Sequence, residues 1–370
     1  MRYFIKTYGC QINKNDGERL ATHYENKGFT STKNWREATV IFLNTCSVRK
    51  AADDRVFALL NQMQNYFAGQ KKYPQVLLSG CMARYGKKLT EKYWIINQVI
   101  PPDSVAMNLT PKRSDKTQAF IKISTGCNSF CTYCVVPYAR SREKSRPEKD
   151  ILAEVKTASQ QGHHEITLLG QNVNSYGLEK IGIGQRKNDL LHNHDAYHQA
   201  GELPPFVALL QKISQLAAVK KIRFMTSNPW DFHQALIKEI GQNQKIDRFL
   251  HLPVQSGSNA VLARMNRGYT RENYLELINK LRTTDPNLTF GTDIIVGFPG
   301  ETEADFQDTV DLVKKANFLV AFVAIYSPRS GTVAAKLWPD DVPHLEKKRR
   351  FEILDKLINK DQLNKRPRIV

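Results

Sequence analysis

No stretch of the 370-residue sequence is apolar for long enough to cross a bilayer, which excludes a helical membrane protein. Nor does its beginning, "MRYFIKTYGCQINKNDGERL", contain the apolar centre of a signal peptide, since it turns polar within ten residues. The expectation is a cytoplasmic protein. Cysteine is scarce, six in all, and in a cytosolic setting these should not pair, so a disulfide-stapled scaffold is excluded. Acidic residues are also in short supply: 36 Asp and Glu face 54 Lys and Arg, for a formal charge of +18. Such an excess points to a polyanionic partner, because lysine and arginine neutralise phosphates; the plainer alternative is a solvated basic surface. The length allows two or three domains.

What is there is organised around the cysteines. "RYFIKTYGC", "ATVIFLNTC" and "QVLLSGC" are strand-like runs ending in Cys10, Cys46 and Cys81, and helical patterns follow, the first a polar amphipathic one from about Asn15 to Lys27. This alternation predicts a doubly wound parallel sheet, in which ligands collect beyond the carboxyl ends of the strands. One cysteine at a strand end is ordinarily a small buried hydrophobe. Three in equivalent positions predict joint ligation of a metal centre. Residues 99–117 carry prolines and charge without period and read as a linker. Beyond it, "AFIKIS", "EITLLGQN", "KIRFMTS", "RFLHLPVQS", "LTFGTDIIVGFPG" and "AFVAIYSP" are six strand-like runs, with helical patterns beginning near Pro147, Pro205, Asp231, Ser258 and Glu301. Six β/α units predict a partial, open barrel, short of the closed eight-stranded one, with its active face at the strand carboxyl ends. The stretch from Leu178 to Pro205 breaks this rhythm. Its His192, His194 and His198 have a spacing that could bind a metal but lack cysteine or carboxylate partners, and read as part of a polar loop.

The other three cysteines, Cys127, Cys131 and Cys134, sit together in "GCNSFCTYCVVPYARSREKSRP". A structural zinc site closes with four ligands, and no fourth cysteine is near; His163 and His164, the nearest histidines, mark a helix-to-strand transition. A cubane iron–sulfur cluster usually takes four thiolates, so three leave one iron open to the amino and carboxylate groups of a small molecule. The spacing, with Tyr133 just before the last cysteine, resembles the signature of the radical S-adenosylmethionine (SAM) superfamily. Together, "YGCQIN", "NTCSVRKAADDRVF", the triple-cysteine segment, "LLGQNVNSYG", "HLPVQSGSNAVLARMNRGYTRENY" and "DIIVGFPGETEADF" resemble the methylthiotransferase family. The likeness runs from about Tyr3 to Gly331 and is greatest to the branch that modifies isopentenylated adenosine beside the tRNA anticodon.

The resemblance implies an α/β architecture: an N-terminal methylthiotransferase domain over residues 1–110, a radical SAM partial (β/α)6 barrel over 117–335, and a basic helical tail over 336–370. It implies two [4Fe–4S] clusters, an auxiliary one on Cys10, Cys46 and Cys81 and a SAM-binding one on Cys127, Cys131 and Cys134. SAM would serve twice, as methyl donor and as source of the radical that removes hydrogen from adenine C2. That C–H is neither acidic nor a leaving group, so acid–base catalysis has no grip on it. Candidate SAM contacts are Tyr133, Gln171, Asn172, Ser227, Gln255, Arg264, Val296 and Gly297, which end their units on the active side; each also has a plain reading as turn, cap or core residue. Arg140, Arg142, Lys144 and Arg146 are candidate phosphate contacts, against the alternative of a solvated loop. The resemblance further implies a flavodoxin or ferredoxin as electron donor, and a small C-terminal RNA-binding β-barrel where this sequence has only the basic helical pattern. A monomer is expected. Two alternatives stay open: a methylthiotransferase acting on threonylcarbamoyl-adenosine or a ribosomal protein, against which "NTCSVR" and "LLGQNVN" argue, and a non-catalytic RNA-binding protein with structural metal sites.

Overall fold

The computed structural model describes residues 1–48, 50–105, 109–178 and 203–360. His192, His194 and His198 lie outside the described residues.

Five parallel strands open the chain: β1 (Arg2–Thr7), β2 (Thr30–Ser31), β3 (Val40–Thr45), β4 (Gln75–Gly80) and β5 (Ile96–Val99), in the order β2-β1-β3-β4-β5. The central strand β3 shows why the sheet is doubly wound. Its Ile41 and Leu43 pack with Val56, Leu60 and Met63 of helix α2 (Lys50–Phe67), while Val40 and Phe42 pack with Leu20 and Tyr24 of helix α1 (Gln11–Asn26). Every residue of β3 is buried, as a strand covered on both faces requires. The strand order reverses between β1 and β3, the position where such sheets bind ligands.

Helix α1 departs from the solvated amphipathic pattern that its sequence predicts. It starts at Gln11, and its polar residues Asn13, Asn15, Asp16 and Arg19 are buried. They face the second unit. Asn15 donates to the Phe120 carbonyl at 3.0 Å, Arg19 pairs with Glu154 at 2.7 Å, and Asp16 pairs with Lys122. Glu154 also receives Arg113 at 3.3 Å and Arg146 at 2.8 Å. Burial alone would push the Glu154 carboxyl up, but Arg19 and Arg146 outweigh it and hold the group below its ordinary value. The linker reading for 99–117 changes accordingly: Ser114 and Lys112 bond to Glu18 and Glu25, so this segment is strapped along α1.

The second unit is built on β6 (Gln118–Lys122), β9 (Glu165–Leu169), β10 (Lys221–Phe224), β11 (Phe249–His251), β12 (Thr289–Val296) and β13 (Val320–Ile325). These form two parallel sheets, β10-β9-β6 and β11-β12-β13, linked by a bridge from Ile222 to Ile246. The six runs seen in the sequence are these six strands, and they make the partial barrel. A short antiparallel ribbon, β7 (Ser124–Thr125) with β8 (Lys144–Ser145), was not foreseen; it closes the base of the triple-cysteine loop. The helical pattern from Ser258 proves to be two helices, Asn259–Arg264 and Arg271–Thr284, separated by a turn in which Asn266 is left-handed with φ of 60°.

Helix His344–Leu354 packs back on the barrel, with Leu354 in its core. Two of its basic residues are committed inside: Arg350 pairs with Glu301 at 2.7 Å, and Lys347 with Asp340. Among the described residues no helix is long and apolar enough to cross a membrane.

Candidate active site at the domain interface

Strand register brings the dispersed cysteines together. Thr7 pairs with Asn44 and Thr45 with Gly80, so Cys10, Cys46 and Cys81 leave neighbouring strands on the same edge. Two glycines make this possible. At Gly9, with φ of 94°, a Cβ would run into Cys46; at Gly80, with φ of 86°, it would meet the Thr45 backbone. Cys10 is the N-cap residue of α1, at the start of the helix. Cys10 is exposed, yet the surrounding protein desolvates its thiol and raises its pKa. Burial likewise pushes the Cys46 thiol up to about 11.

Cys127, Cys131 and Cys134 lie on the loop between β7 and the short helix Val136–Ala139. The loop is pinned on both sides. Thr132 donates to the carbonyls of Arg264 and Met265 at 2.8 and 3.0 Å and accepts from the Ala334 amide at 2.8 Å. Phe130 is left-handed, with φ of 46°, and Asn266 holds its carbonyl at 2.9 Å. Each sulfur faces an N–H donor: the Ser129 amide at 3.5 Å for Cys127, the Arg267 guanidinium at 3.3 Å for Cys131, and the Val136 amide at 3.4 Å for Cys134. Burial pushes the Cys127 thiol up to about 12 and raises Cys134 further, with Cys131, Cys127 and Cys81 adding to it. The short helix that follows Cys134 packs on the turn Cys81–Tyr85, which brings the two trios to one interface. As free thiols these groups would be protonated and inert. N–H donors around deprotonated sulfur are the arrangement that iron–sulfur clusters use.

Among the described residues no three His, Cys, Asp or Glu side chains converge tightly enough for one metal ion.

The turn between the split helices supplies a residue that the sequence reading missed. Arg267 lies over Trp230 and Tyr269 at 5.0 and 5.1 Å, bonds the Pro253 carbonyl at 3.0 Å, and reaches Asn228 as well as Cys131. Asn228 in turn donates to Ser129 at 3.3 Å. Asp231 was missed too. Its carboxylate accepts from Asn172, its other oxygen has no partner among the described residues, and burial raises its pKa to about 7 despite Asn172 and Arg267. Only the alternation break at "TSNPWD" could have signalled it.

The candidate SAM contacts separate. Tyr133 is enclosed beside the cysteines, and burial raises its pKa well above the ordinary value. Ser227 is buried with its hydroxyl unpartnered among the described residues, and Gln171, next to Asn172 in the chain, is half-buried. Asn172 spends its amide on Asp231 and its carbonyl oxygen on the Asn228 amide, 3.1 Å away. Gln255 is left-handed, with φ of 74°, and bridges to Ile294. Arg264 bonds the Gly300 carbonyl at 3.0 Å. The Val296 side chain is wholly in the core, and Gly297 faces the Lys347 side chain. The basic run also needs correction. Arg140 is 1% exposed and bonded to Asn13, and Arg146 is tied to Glu154, so neither guanidinium is free to meet a phosphate. Arg142, over Phe130 at 4.8 Å, and Lys144 are exposed. A groove of 690 Å³ lined by Gln234, Ile237, Glu272 and Lys280 lies among the outer helices, away from all six cysteines.

Residues 121–313 match the radical SAM superfamily, and residues 2–100 match the uncharacterized protein family UPF0004. A protein of Thermoanaerobacter pseudethanolicus named tRNA-2-methylthio-N(6)-dimethylallyladenosine synthase is 42% identical over 98% of this chain and 79% of its own length. One of the same name from Thermotoga petrophila is 40% identical over 99% of this chain and 84% of its own. Among solved structures, the radical SAM methyltransferase TsrM from Kitasatospora setae shares the fold, with a TM-score of 0.58 at 14% identity over 90% of this chain and 76% of its own. With both halves matched and relatives alike over nearly its whole length, the chain belongs to the radical SAM superfamily and, within it, to the tRNA-2-methylthio-N(6)-dimethylallyladenosine synthase family.

Proposed function

We propose that Cys10, Cys46 and Cys81 ligate one of the protein's two [4Fe–4S] clusters and Cys127, Cys131 and Cys134 the other, SAM-binding one. The reaction is insertion of a methylthio group at C2 of N6-isopentenyladenosine beside the anticodon of tRNA. The observation that carries the assignment is the convergence of two cysteine trios, the barrel one with an N–H donor at each sulfur, on one interface at the carboxyl ends of both sheets. When bound, the clusters and SAM supply the methyl group, the sulfur site and a primary carbon radical able to take hydrogen from an aromatic C–H.

The chain's own residues bind, orient and exclude water. Trp230, Tyr269 and Tyr133 wall the barrel cysteines from solvent, and Arg267 with Asn228 fixes their loop. The unpartnered Ser227 hydroxyl and Asp231 oxygen, together with Gln171, offer polar contacts to the amino-acid end of SAM. Asn172 orients Asp231, and Arg264, Gln255, Val296 and Gly297 shape the far side through backbone and helix contacts. Holding base, radical and sulfur in contact is the positioning contribution that enzymes exploit most. Exposed Arg142 and Lys144 meet phosphates of the anticodon stem-loop. Residues 1–110, 117–335 and 336–370 act as the auxiliary-cluster domain, the radical barrel and a tail. The same reading takes the protein as a cytoplasmic monomer reduced by a flavodoxin or ferredoxin.

The test is mass spectrometry of digested tRNA from cells with and without the gene. Loss of the 2-methylthio group from isopentenyladenosine on deletion is expected; an unchanged content, or a change confined to threonylcarbamoyl-adenosine, would overturn the substrate.

A further inference from the structure

Two of the six sulfurs have a backbone amide two residues further along within hydrogen-bonding distance: Ser129 for Cys127 and Val136 for Cys134. At Cys131 the donor is Arg267, from within the barrel, at 3.3 Å. Beside the other trio lies a buried arginine, Arg140, which reaches it from across the domain interface.

Arg140 is aimed there by its surroundings. It follows the short helix Val136–Ala139, which packs on the turn Cys81–Tyr85. One terminal nitrogen donates to the Asn13 side-chain oxygen. That amide cannot turn round, because its nitrogen donates to the carbonyls of Tyr8 at 2.7 Å and Thr45 at 2.9 Å. Those two residues precede Cys10 and Cys46, so Asn13 ties Arg140 to the other two strand ends of the trio. The other terminal nitrogen lies 3.8 Å from Asp16, which Lys122 already neutralises. Two buried cations thus share one carboxylate. A guanidinium 1% exposed, left over from that pairing and with its Nε unpartnered among the described residues, needs another anion, and a thiolate-held cluster at the neighbouring strand ends would supply one.

We propose that Arg140 is a positioning residue that completes the auxiliary site from the opposite domain: it sets a buried positive charge beside the three ligand sulfurs and, by compensating their charge, raises the reduction potential of the N-terminal cluster. The inference rests on the ligand assignment above. Its consequence is that the N-terminal cluster reaches its working potential only with the barrel docked. A positive charge beside a cluster favours the reduced form, which carries one more negative charge, and hydrogen bonds to the sulfurs act in the same direction.

The experiment uses the full chain, reconstituted anaerobically with iron and sulfide. In a Cys127→Ala/Cys131→Ala/Cys134→Ala background only the N-terminal cluster remains, and an EPR-monitored redox titration gives its midpoint potential. Arg140→Gln should move that midpoint to more negative values, and Arg140→Lys, which keeps the charge, should keep it nearer the original. In the complementary Cys10→Ala/Cys46→Ala/Cys81→Ala background, Arg140→Gln should leave the barrel cluster's midpoint and SAM cleavage unchanged. Asn15→Ala cuts an interface bond without touching sulfur and should shift neither cluster. An unmoved midpoint with iron bound overturns the role of Arg140, and so does an equal shift from Asn15→Ala. If Arg140→Gln does not fold, Arg140→Lys decides: a midpoint as far displaced as that of a cluster with no neighbouring cation counts against charge compensation. No iron at all in the first background sinks the ligand assignment itself, and this inference with it.

Discussion

The two cysteine trios solve one problem in opposite ways. Cys10, Cys46 and Cys81 come from three strand ends separated in sequence, whereas Cys127, Cys131 and Cys134 share a single loop. In the first, sheet register sets the spacing, and glycines at 9 and 80 let the chain turn without a side chain in the way. In the second there is no register to rely on. The loop keeps Phe130 in the left-handed region, at a cost of roughly 1–2 kcal/mol, and must be pinned by Asn266, Thr132 and Ala334. A rigid sheet positions ligands without strain; a loop needs neighbours to hold it.

The largest effects should come from breaking one trio and leaving the other. Cys134→Ala should abolish both reductive SAM cleavage and methylthiolation, while Cys81→Ala should keep SAM cleavage and abolish only methylthiolation. Iron should fall to about half in each, four atoms being lost per cluster. Quantifying 5′-deoxyadenosine alongside modified RNA checks this, and equal loss of both products in both variants would erase the distinction. Next comes the glycine that the sheet demands. Gly80→Ala must drive a Cβ into the Thr45 backbone at positive φ, so it should cost on the order of 4 kcal/mol and empty the N-terminal site first. Chemical unfolding and iron content measure the two; a loss below about 1 kcal/mol would mean that the strand ends are not as rigid as register implies.

The same contrast governs how much could be read in the sequence. Strands β3 and β4 are largely apolar runs, β1 mixes polar and apolar residues, and a cysteine follows each within three residues, so their parallel arrangement and shared edge were legible. So were the six barrel strands. What was not legible is polar and long-range. Asn13, Asn15, Asp16 and Arg19 read as the wet face of α1, because nothing local reveals that Glu154, Lys122 and Phe120 will cover them. Arg140 and Arg146 looked like phosphate contacts for the same reason: a basic run beside a site gives charge, not direction. Arg267 was hidden because the helical period runs on through residues 259–284, and only the left-handed Asn266 interrupts it.

A titration separates the two sides further, since Asp231 lies on the barrel side alone. Its pKa rises from 3.8 to about 7 on folding, because burial disfavours the carboxylate. The unfolded chain therefore gives up this proton near pH 4 and the folded chain holds it until about pH 7. Between those values the unfolded state binds fewer protons, so this group's contribution to stability declines as pH rises and is flat on either side. The gap corresponds to roughly 4 kcal/mol at most. Asp231→Asn should remove that decline, making the cluster-free chain more stable than the parent at pH 8 and little different at pH 4. Denaturant unfolding at the two pH values checks it, and an unaltered slope would mean that Asp231 is ionised throughout.

The smallest effect concerns RNA, and it sharpens the contrast between the two halves of the basic run. Lys144 is exposed on the ribbon that closes the barrel loop and Arg142 is exposed just before it, over the Phe130 ring, so both are presented to solvent from a fixed base. Removing one phosphate-binding cation should weaken anticodon stem-loop binding modestly and reduce the slope of log affinity against log salt by about one. Arg142→Ala and Lys144→Ala should do this while leaving iron at both trios. Arg146→Ala should behave differently: it removes one of three cations around Glu154, so stability should fall while the salt slope holds. Binding isotherms at several salt concentrations, set beside melting curves, separate the two classes. A slope change in Arg146→Ala equal to that in Arg142→Ala would mean that the buried half of the run opens to meet RNA, and that the domain interface loosens when substrate arrives.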